Sequence, residues 1–342
     1  MVNQPYIKFD SFCKLMKKLF LLISICSFFA CSQKTNDYKE LYQLAITETD
    51  NGNFNEAIDY LDQVINIKPN FDSAYAERAY NYLNIDEPDL ALKDANKAVT
   101  LNYNNACALY YRGMINDYLY KTDEAIKDYT HIIRLRDSLY MNVALQERAY
   151  IFYKLNQFEK SIEDFNRIIE LDSLNESAYT SRGIAKSKNN VYNLYSDSAT
   201  STSFLKYYQV SFSNNSTIIF DTKGAIDDFS KAIEINPKNA FAYYHRAKIY
   251  SELNLLENAL LDINTAIQLD EKSDYYLTRA LIYKDKKDTK KSLNDFNKAI
   301  EINPENRFAY INRGYLKREQ LDDKDGSEQD LKKAEELGVS IN

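Results

Sequence analysis

Between Gly224 and Ala247 apolar residues recur with a helical period, stop at a proline, and resume. In GAIDDFSKAI, Ala225, Phe229, Ala232 and Ile233 fall at i, i+4, i+7 and i+8, a single stripe on a helix. Pro237 ends the run, because it has no N–H to donate and holds Asn236 extended. A second stripe starts at Ala240 and places Tyr243, Ala247 and Tyr250 on one face. Small alanines at the points of closest approach let two helices pack tightly, so the pattern predicts a helix hairpin.

The same text returns about every 34 residues. First helices carry RAYNYL from Arg78, RGMIND from Arg112, RAYIFY from Arg148, RGIAKS from Arg182, RAKIYS from Arg246, RALIYK from Arg279 and RGYLKR from Arg313. Matching second helices include LALKDANKAV from Leu90, EAIKDYTHII from Glu124, KSIEDFNRII from Lys160, NALLDINTAI from Asn258 and KSLNDFNKAI from Lys291. This pattern resembles the tetratricopeptide repeat family, whose marks include Gly or Ala at position 8, Tyr at 11, and Ala at 20 and 27. Tyr243, Ala247, Tyr250, Ala259 and Ala266 fill the corresponding places in the copy from 240 to 273. The resemblance spans Tyr38 to Leu337 and implies an all-α fold, a right-handed α-solenoid of about eight hairpins.

Repeat 1 runs from Tyr38 to about Phe71, repeat 2 covers Asp72–Asn105, repeat 3 Ala106–Met141 and repeat 4 Asn142–Asn175. Repeat 5 begins at Glu176, and its first helix is expected to reach about Lys188. A Ser/Asn/Tyr-rich insertion, residues 189–221, then interrupts the register. Two readings stay open for it: a tolerated loop extension, or a partner-binding flap, since Phe204, Tyr207, Tyr208 and Phe212 are more apolar than a linker needs. The second helix of repeat 5 follows from 222, then repeat 6 at Ala240–Lys272, repeat 7 at Ser273–Asn306 and repeat 8 at Arg307–Gly338. The last helix is mostly charged on its outer side, as a terminal cap should be.

Position 7 of the repeat, ordinarily Leu, is Arg in repeats 2 to 8: Arg78, Arg112, Arg148, Arg182, Arg246, Arg279 and Arg313. The same seven repeats carry Asp near position 23: Asp94, Asp128, Asp164, Asp228, Asp262, Asp295 and Asp330. Repeat 1 has Leu44 and Tyr60 instead and lacks both together. The joint pattern predicts a structural ladder of Arg–Asp pairs, within each hairpin or between neighbours. The matched aspartates argue against an anion-binding track.

Ahead of the repeats, Met16, Lys17 and Lys18 lead into LFLLISICSFFA and then Cys31. A basic start, about a dozen apolar residues and a small residue form an export signal, too short to span a bilayer that needs about 20. Ala30–Cys31 resembles a bacterial lipoprotein signal, which implies a leader over 1–31, lipidation (palmitate) at Cys31 and a polar tether over 32–37. Met16 is a plausible alternative start to Met1. The expected location is therefore outside the cytoplasm, lipid-anchored at the outer membrane or its periplasmic face.

Charge and chemistry narrow the function. A net charge of −7 with interspersed lysines argues against nucleic acid as a partner, which needs a basic face. His131 and His245 lie in different repeats, and Cys107 has no second cysteine in the mature chain beyond Cys31. No phosphate loop, nucleophile elbow or metal motif is present, so the sequence points to no catalytic residue, no metal and no cofactor. What remains is a surface. In the family, positions 2, 5, 9, 12 and 13 of each first helix line a concave groove. Carried over, they give Tyr42, Tyr80, Tyr110, Met114, Tyr118, Tyr150, Tyr153, Phe241, Tyr244, Phe308 and Tyr315 as partner-binding residues. Tyrosine gives large contact area at low entropic cost, which suits protein recognition. The expectation is a non-enzymatic scaffold or adaptor of the cell envelope that binds a protein partner. The alternative is a glycan-binding lipoprotein of a polysaccharide-uptake system, disfavoured by the lack of Trp.

Overall fold

The computed structural model describes residues 37–196 and 216–338; side chains are described over 37–189 and 222–338. The leader, Cys31 and residues 32–36 of the tether lie outside this range, as do residues 197–215 of the insertion. Every regular element described is an α-helix. In chain order they are α1 (Tyr38–Asn51), α2 (Phe54–Ile67), α3 (Asp72–Asn84), α4 (Pro88–Leu101), α5 (Ala106–Tyr118), α6 (Thr122–Leu135), α7 (Met141–Lys154) and α8 (Phe158–Leu171). They continue as α9 (Glu176–Ser196), α10 (Ser216–Ile235), α11 (Ala240–Glu252), α12 (Leu256–Leu269), α13 (Ser273–Asp285), α14 (Thr289–Ile302), α15 (Arg307–Gln320) and α16 (Lys324–Glu336). Asp37, the last tether residue, caps α1 by accepting from the Lys39 amide at 2.9 Å.

Two turn types separate the helices, each with a local cause. Inside a hairpin the chain reverses through one residue in the left-handed region. This is Gly52 (φ 83°) in the first hairpin and Asp86, Tyr120, Asn156, Asn254, Lys287 and Asp322 (φ 51–62°) in later ones. At four of the junctions between hairpins, paired Asx residues set the entry to the next helix. Asn236 accepts from the Lys238 amide and Asn239 caps α11 through the Ala242 amide. Asn102 with Asn105, Asp172 with Asn175, and Asn303 with Asn306 repeat the arrangement. Helix α10 ends at Ile235, two residues before Pro237.

The fifth hairpin departs from the expected boundaries. Its first helix was expected to end near Lys188 and its second to begin near 222. Instead α9 runs on to Ser196 and α10 starts at Ser216, so both helices extend into the insertion.

The chain divides into two compact units, Met1–Ala144 and Leu145–Asn342. In the first, helices of a hairpin pack on each other and the first helices α1, α3 and α5 also touch in succession. Alanines close its interior: Ala45, Ala57, Ala74, Ala91 and Ala95 are fully buried. At Gly113 the approach is closer still, since a Cβ there would lie 2.8 Å from the buried Tyr129 ring. The second unit repeats the scheme, with Ala247, Ala259, Ile263, Ala266 and Ala280 buried and α11, α13 and α15 in sequence along one side.

Candidate functional site

The Arg and Asp positions singled out above meet in all seven hairpins. Arg78 and Asp94, Arg112 and Asp128, Arg148 and Asp164, Arg182 and Asp228 form two-pronged pairs. Arg246 and Asp262, Arg279 and Asp295, Arg313 and Asp330 do the same. In each, Nε and Nη2 donate to the two carboxylate oxygens at 2.5–3.0 Å. The aspartates are buried and the guanidinium is partly so. Tyrosines at position 4 of the same helix close over the cation: Tyr243 and Tyr276 lie with ring centroids 5.7 and 5.2 Å from the guanidinium carbons of Arg246 and Arg279.

The remaining Arg nitrogen reaches backwards. Nη1 of Arg182, Arg246, Arg279 and Arg313 donates to Asn166, Ser230, Asn264 and Asn297 on the second helix of the preceding hairpin, at 2.7–2.9 Å. Arg78 donates to Asp62 in the same manner. These arginines thus bind their own hairpin twice and its predecessor once. Burial works against charge on Arg78, but Asp94 and Asp62 outweigh it and raise its pKa. The acceptors were missed by sequence reasoning, although they stand two residues after the ladder Asp as a recurring Asp-x-Asn or Asp-x-Ser. Repeat 1 keeps this acceptor, Asp62, while lacking the ladder pair.

On the first-helix side of the first unit, Tyr118 is exposed and donates from its hydroxyl to Asp86 at 2.7 Å. Its companions turn inward. Tyr42 packs edge-on against Phe71 at 5.1 Å, Tyr80 stacks on Tyr111 at 4.9 Å, and Tyr110 touches Tyr111, Tyr129 and Tyr140. Met114 is half-buried. Glu77 is buried among them and accepts from the Cys107 thiol at 3.9 Å. Burial, with the charge of Glu77 beside it, pushes the hydroxyls of Tyr42 and Tyr111 far above the ordinary tyrosine range.

In the second unit Tyr150, Phe241 and Phe308 are exposed. Tyr153 packs on Phe158 at 5.5 Å, and Tyr315 is half-buried with Arg318 over its ring. Tyr244 lies between His245 (5.0 Å) and Tyr275 (4.7 Å), and Phe229 stacks on His245 from the other side. Tyr275 occupies position 3 of its repeat, where six other repeats have a buried alanine (Ala74, Ala108, Ala144, Ala178, Ala242 and Ala309). His245 Nε2 is buried without a hydrogen-bond partner. Burial, then the positive charges of Lys248 and Lys188, lower the His245 pKa to about 3, so the ring is neutral. His131, by contrast, meets Asn104 near the surface at 3.1 Å.

Among the described residues no group of three or more His, Cys, Asp or Glu side chains is arranged to hold a metal. Ion pairs outside the ladder include exposed ones within a helix, such as Arg167–Glu170 and Lys333–Glu336. Of the lining positions carried over from the family, Tyr118 in the first unit and Tyr150, Phe241 and Phe308 in the second are exposed rings.

Tetratricopeptide repeat models match residues 41–71, 144–173, 229–261 and 273–306. The chain is similar to the human mitochondrial import receptor subunit TOM70, 29% identical over 238 residues, covering 64% of this chain and 38% of that one. It is 27% identical over 299 residues to human tetratricopeptide repeat protein 6, covering 81% of this chain and 55% of the relative. The chain thus spans 38% and 55% of the length of these two curated relatives. In fold it is similar to a tetratricopeptide repeat protein from Parabacteroides merdae, with a TM-score of 0.54 at 17% identity over 87% of this chain and 98% of the other. The C-terminal part of a repeat-containing protein from Cytophaga hutchinsonii aligns with a TM-score of 0.57 at 19% identity, over 78% of this chain and 97% of the other. Outside the matched segments, the hairpins from Asp72, Ala106 and Arg307 share the helix lengths, the turns and the Arg–Asp pairing, and the longer fifth hairpin shares the pairing. The chain therefore carries tetratricopeptide repeats in an all-α solenoid architecture.

Proposed function

We propose that the chain is a non-enzymatic adaptor, held at the bacterial envelope through a lipid on Cys31, that binds a partner protein on its first-helix face. The observation that carries this reading is the exposure of Tyr118 in one unit, and of Tyr150, Phe241 and Phe308 in the other, on otherwise packed helices. Large rigid rings at low entropic cost are what protein-binding surfaces enrich. An extended or helical segment laid across such a face gains affinity from several shallow contacts. The repeat architecture supports a binding role. Among those residues no helix is long and apolar enough to cross a membrane, and the anchoring rests on the leader read from the sequence.

A crosslinking pull-down in cells tests the binding role, comparing wild type with a Tyr150→Ala/Phe241→Ala/Phe308→Ala variant. These side chains are exposed, so the variant keeps its fold. A partner captured by wild type and lost by the variant supports the reading; equal capture by both contradicts it. Metabolic labelling with palmitate, present in wild type and lost in Cys31→Ala, tests the anchor separately.

A further inference from the structure

The first helices of the first unit, α1, α3 and α5, lie in succession and join in one patch of side chains. At its centre is Glu77, a carboxylate on α3 that is only 6% exposed. The Cys107 thiol of α5 donates to it at 3.9 Å. Rings from all three helices gather beside this charge. Tyr80 of α3 stacks on Tyr111 of α5 at 4.9 Å, and Tyr110 tilts against Tyr111 at 5.9 Å. Burial first, then the charge of Glu77, raises the hydroxyls of Tyr111 and of Tyr42 on α1, so both stay protonated. All four rings are half-buried and so reach solvent.

The charge on these helices is nearly of one sign. Outside the ladder arginines, α1, α3 and α5 carry six carboxylates and a single cation, Lys39. Asp72, at the start of α3, adds to the field of Glu77 at Tyr42. The first-helix rings of the second unit come with cations instead. Lys154 lies 4.5 Å from the Tyr150 ring centroid, Arg307 5.2 Å from that of Phe308 and Arg318 5.0 Å from that of Tyr315. Lining rings thus stand beside carboxylates in the first unit and beside cations in the second.

A cation brought to the first unit is attracted twice. Ring faces draw it through their quadrupole. Glu77, held where water is scarce, attracts it more strongly than an exposed carboxylate does. The chain uses the ring contact at the edge of the same unit, where Lys68 Nζ lies 4.5 Å from the Tyr38 ring centroid and 4.9 Å from that of Phe71. An anion in the same place meets like charge.

We propose that the first-helix face of the first unit docks a basic segment of a partner protein, with a Lys or Arg side chain of that segment lying on Tyr80 and Tyr111 and its charge toward Glu77. The inference rests on the binding role proposed above and adds the chemistry of the occupant. Lysine and arginine share that chemistry, and the probes separate them.

The test is a titration of the full chain with short fluorescent peptides of one length and spacing, rich in lysine, arginine, acetyl-lysine or glutamate, read by anisotropy. Saturable binding of the lysine or arginine peptide is expected, the tighter naming the side chain, with the other two inert. Glu77→Gln keeps the side-chain shape and an oxygen for the Cys107 thiol, and is expected to weaken binding by about tenfold or more. Glu328→Gln/Glu335→Gln, which removes two exposed charges from α16, should leave it unchanged. Failure of both basic peptides to saturate overturns the proposal, as does unchanged affinity in Glu77→Gln. Equal loss in the α16 variant also overturns it, because attraction to the acidic chain as a whole then accounts for binding. Where Glu77→Gln does not fold, Tyr80→Leu decides: weakened binding supports the site and unchanged affinity overturns it. Partner capture through Tyr150, Phe241 and Phe308 without basic-peptide binding overturns this inference and leaves the adaptor reading. The converse result overturns the adaptor reading and leaves the docking chemistry.

Discussion

An arginine in place of the usual leucine at position 7 changes how these hairpins hold together. A leucine contributes apolar contact without direction, whereas the guanidinium specifies two oxygens of its own aspartate and one acceptor in the preceding hairpin. Buried pairs of this kind contribute modestly against apolar replacements but are costly to break from one side. Asp262→Ala, which leaves the Arg246 guanidinium without its carboxylate, should cost about 3 kcal/mol. Joint replacement by Arg246→Met and Asp262→Leu should cost much less; urea unfolding of both variants checks this. His245 gives a second test at this scale. Its folded pKa near 3 lies below the ordinary 6.5, so the unfolded chain binds the extra proton between those values. The stability it contributes is complete above about pH 6.5 and is lost as pH falls toward 3, with a slope of at most about 1.4 kcal/mol per pH unit. Urea midpoints measured from pH 7 to 4 should fall less steeply in His245→Phe than in wild type; parallel curves contradict the assignment.

At the scale of elements, the chain was legible where its period was strict. The 34-residue text marked most hairpins, because Ala at the helix contacts and Asn or Pro in the turns act locally wherever they recur. The insertion was less legible. Residues 191–195 sit in a Ser- and Asn-rich stretch and 218–220 follow one, yet they belong to α9 and α10. A helix already nucleated propagates through residues of mediocre propensity, so composition alone misplaces its end. The groove residues show another limit. Tyr80 and Tyr118 are the same residue at lining positions, but Tyr80 has Tyr111 to stack on and Tyr118 projects over Asp86. The partner that decides this comes from the neighbouring repeat, at positions outside the family's lining set. The intra-hairpin turn yields a direct prediction. Tyr120 is left-handed at φ 58° and almost fully exposed, so Tyr120→Gly should relieve strain and raise stability by about 1 kcal/mol. Gly52→Ala, with open space around it but φ 83°, should lower stability by about 1–2 kcal/mol; thermal melts of both resolve the sign.

At the scale of the whole chain, each unit is tied together hairpin to hairpin. Arrays of this type are stabilised by each repeat and its nearest neighbours, and the backward-reaching arginines supply part of that neighbour coupling. The first helices carry these arginines and also present exposed rings at Tyr118, Tyr150, Phe241 and Phe308. The most direct test of binding at these rings is site-specific photo-crosslinking in cells. A photoreactive residue is placed at Tyr150 or Phe241 on the first helices, and in parallel at Leu261, exposed on the second helix α12. The account predicts that one partner is captured from both first-helix positions and not from Leu261. Capture from Leu261 alone, or from all three alike, would contradict it.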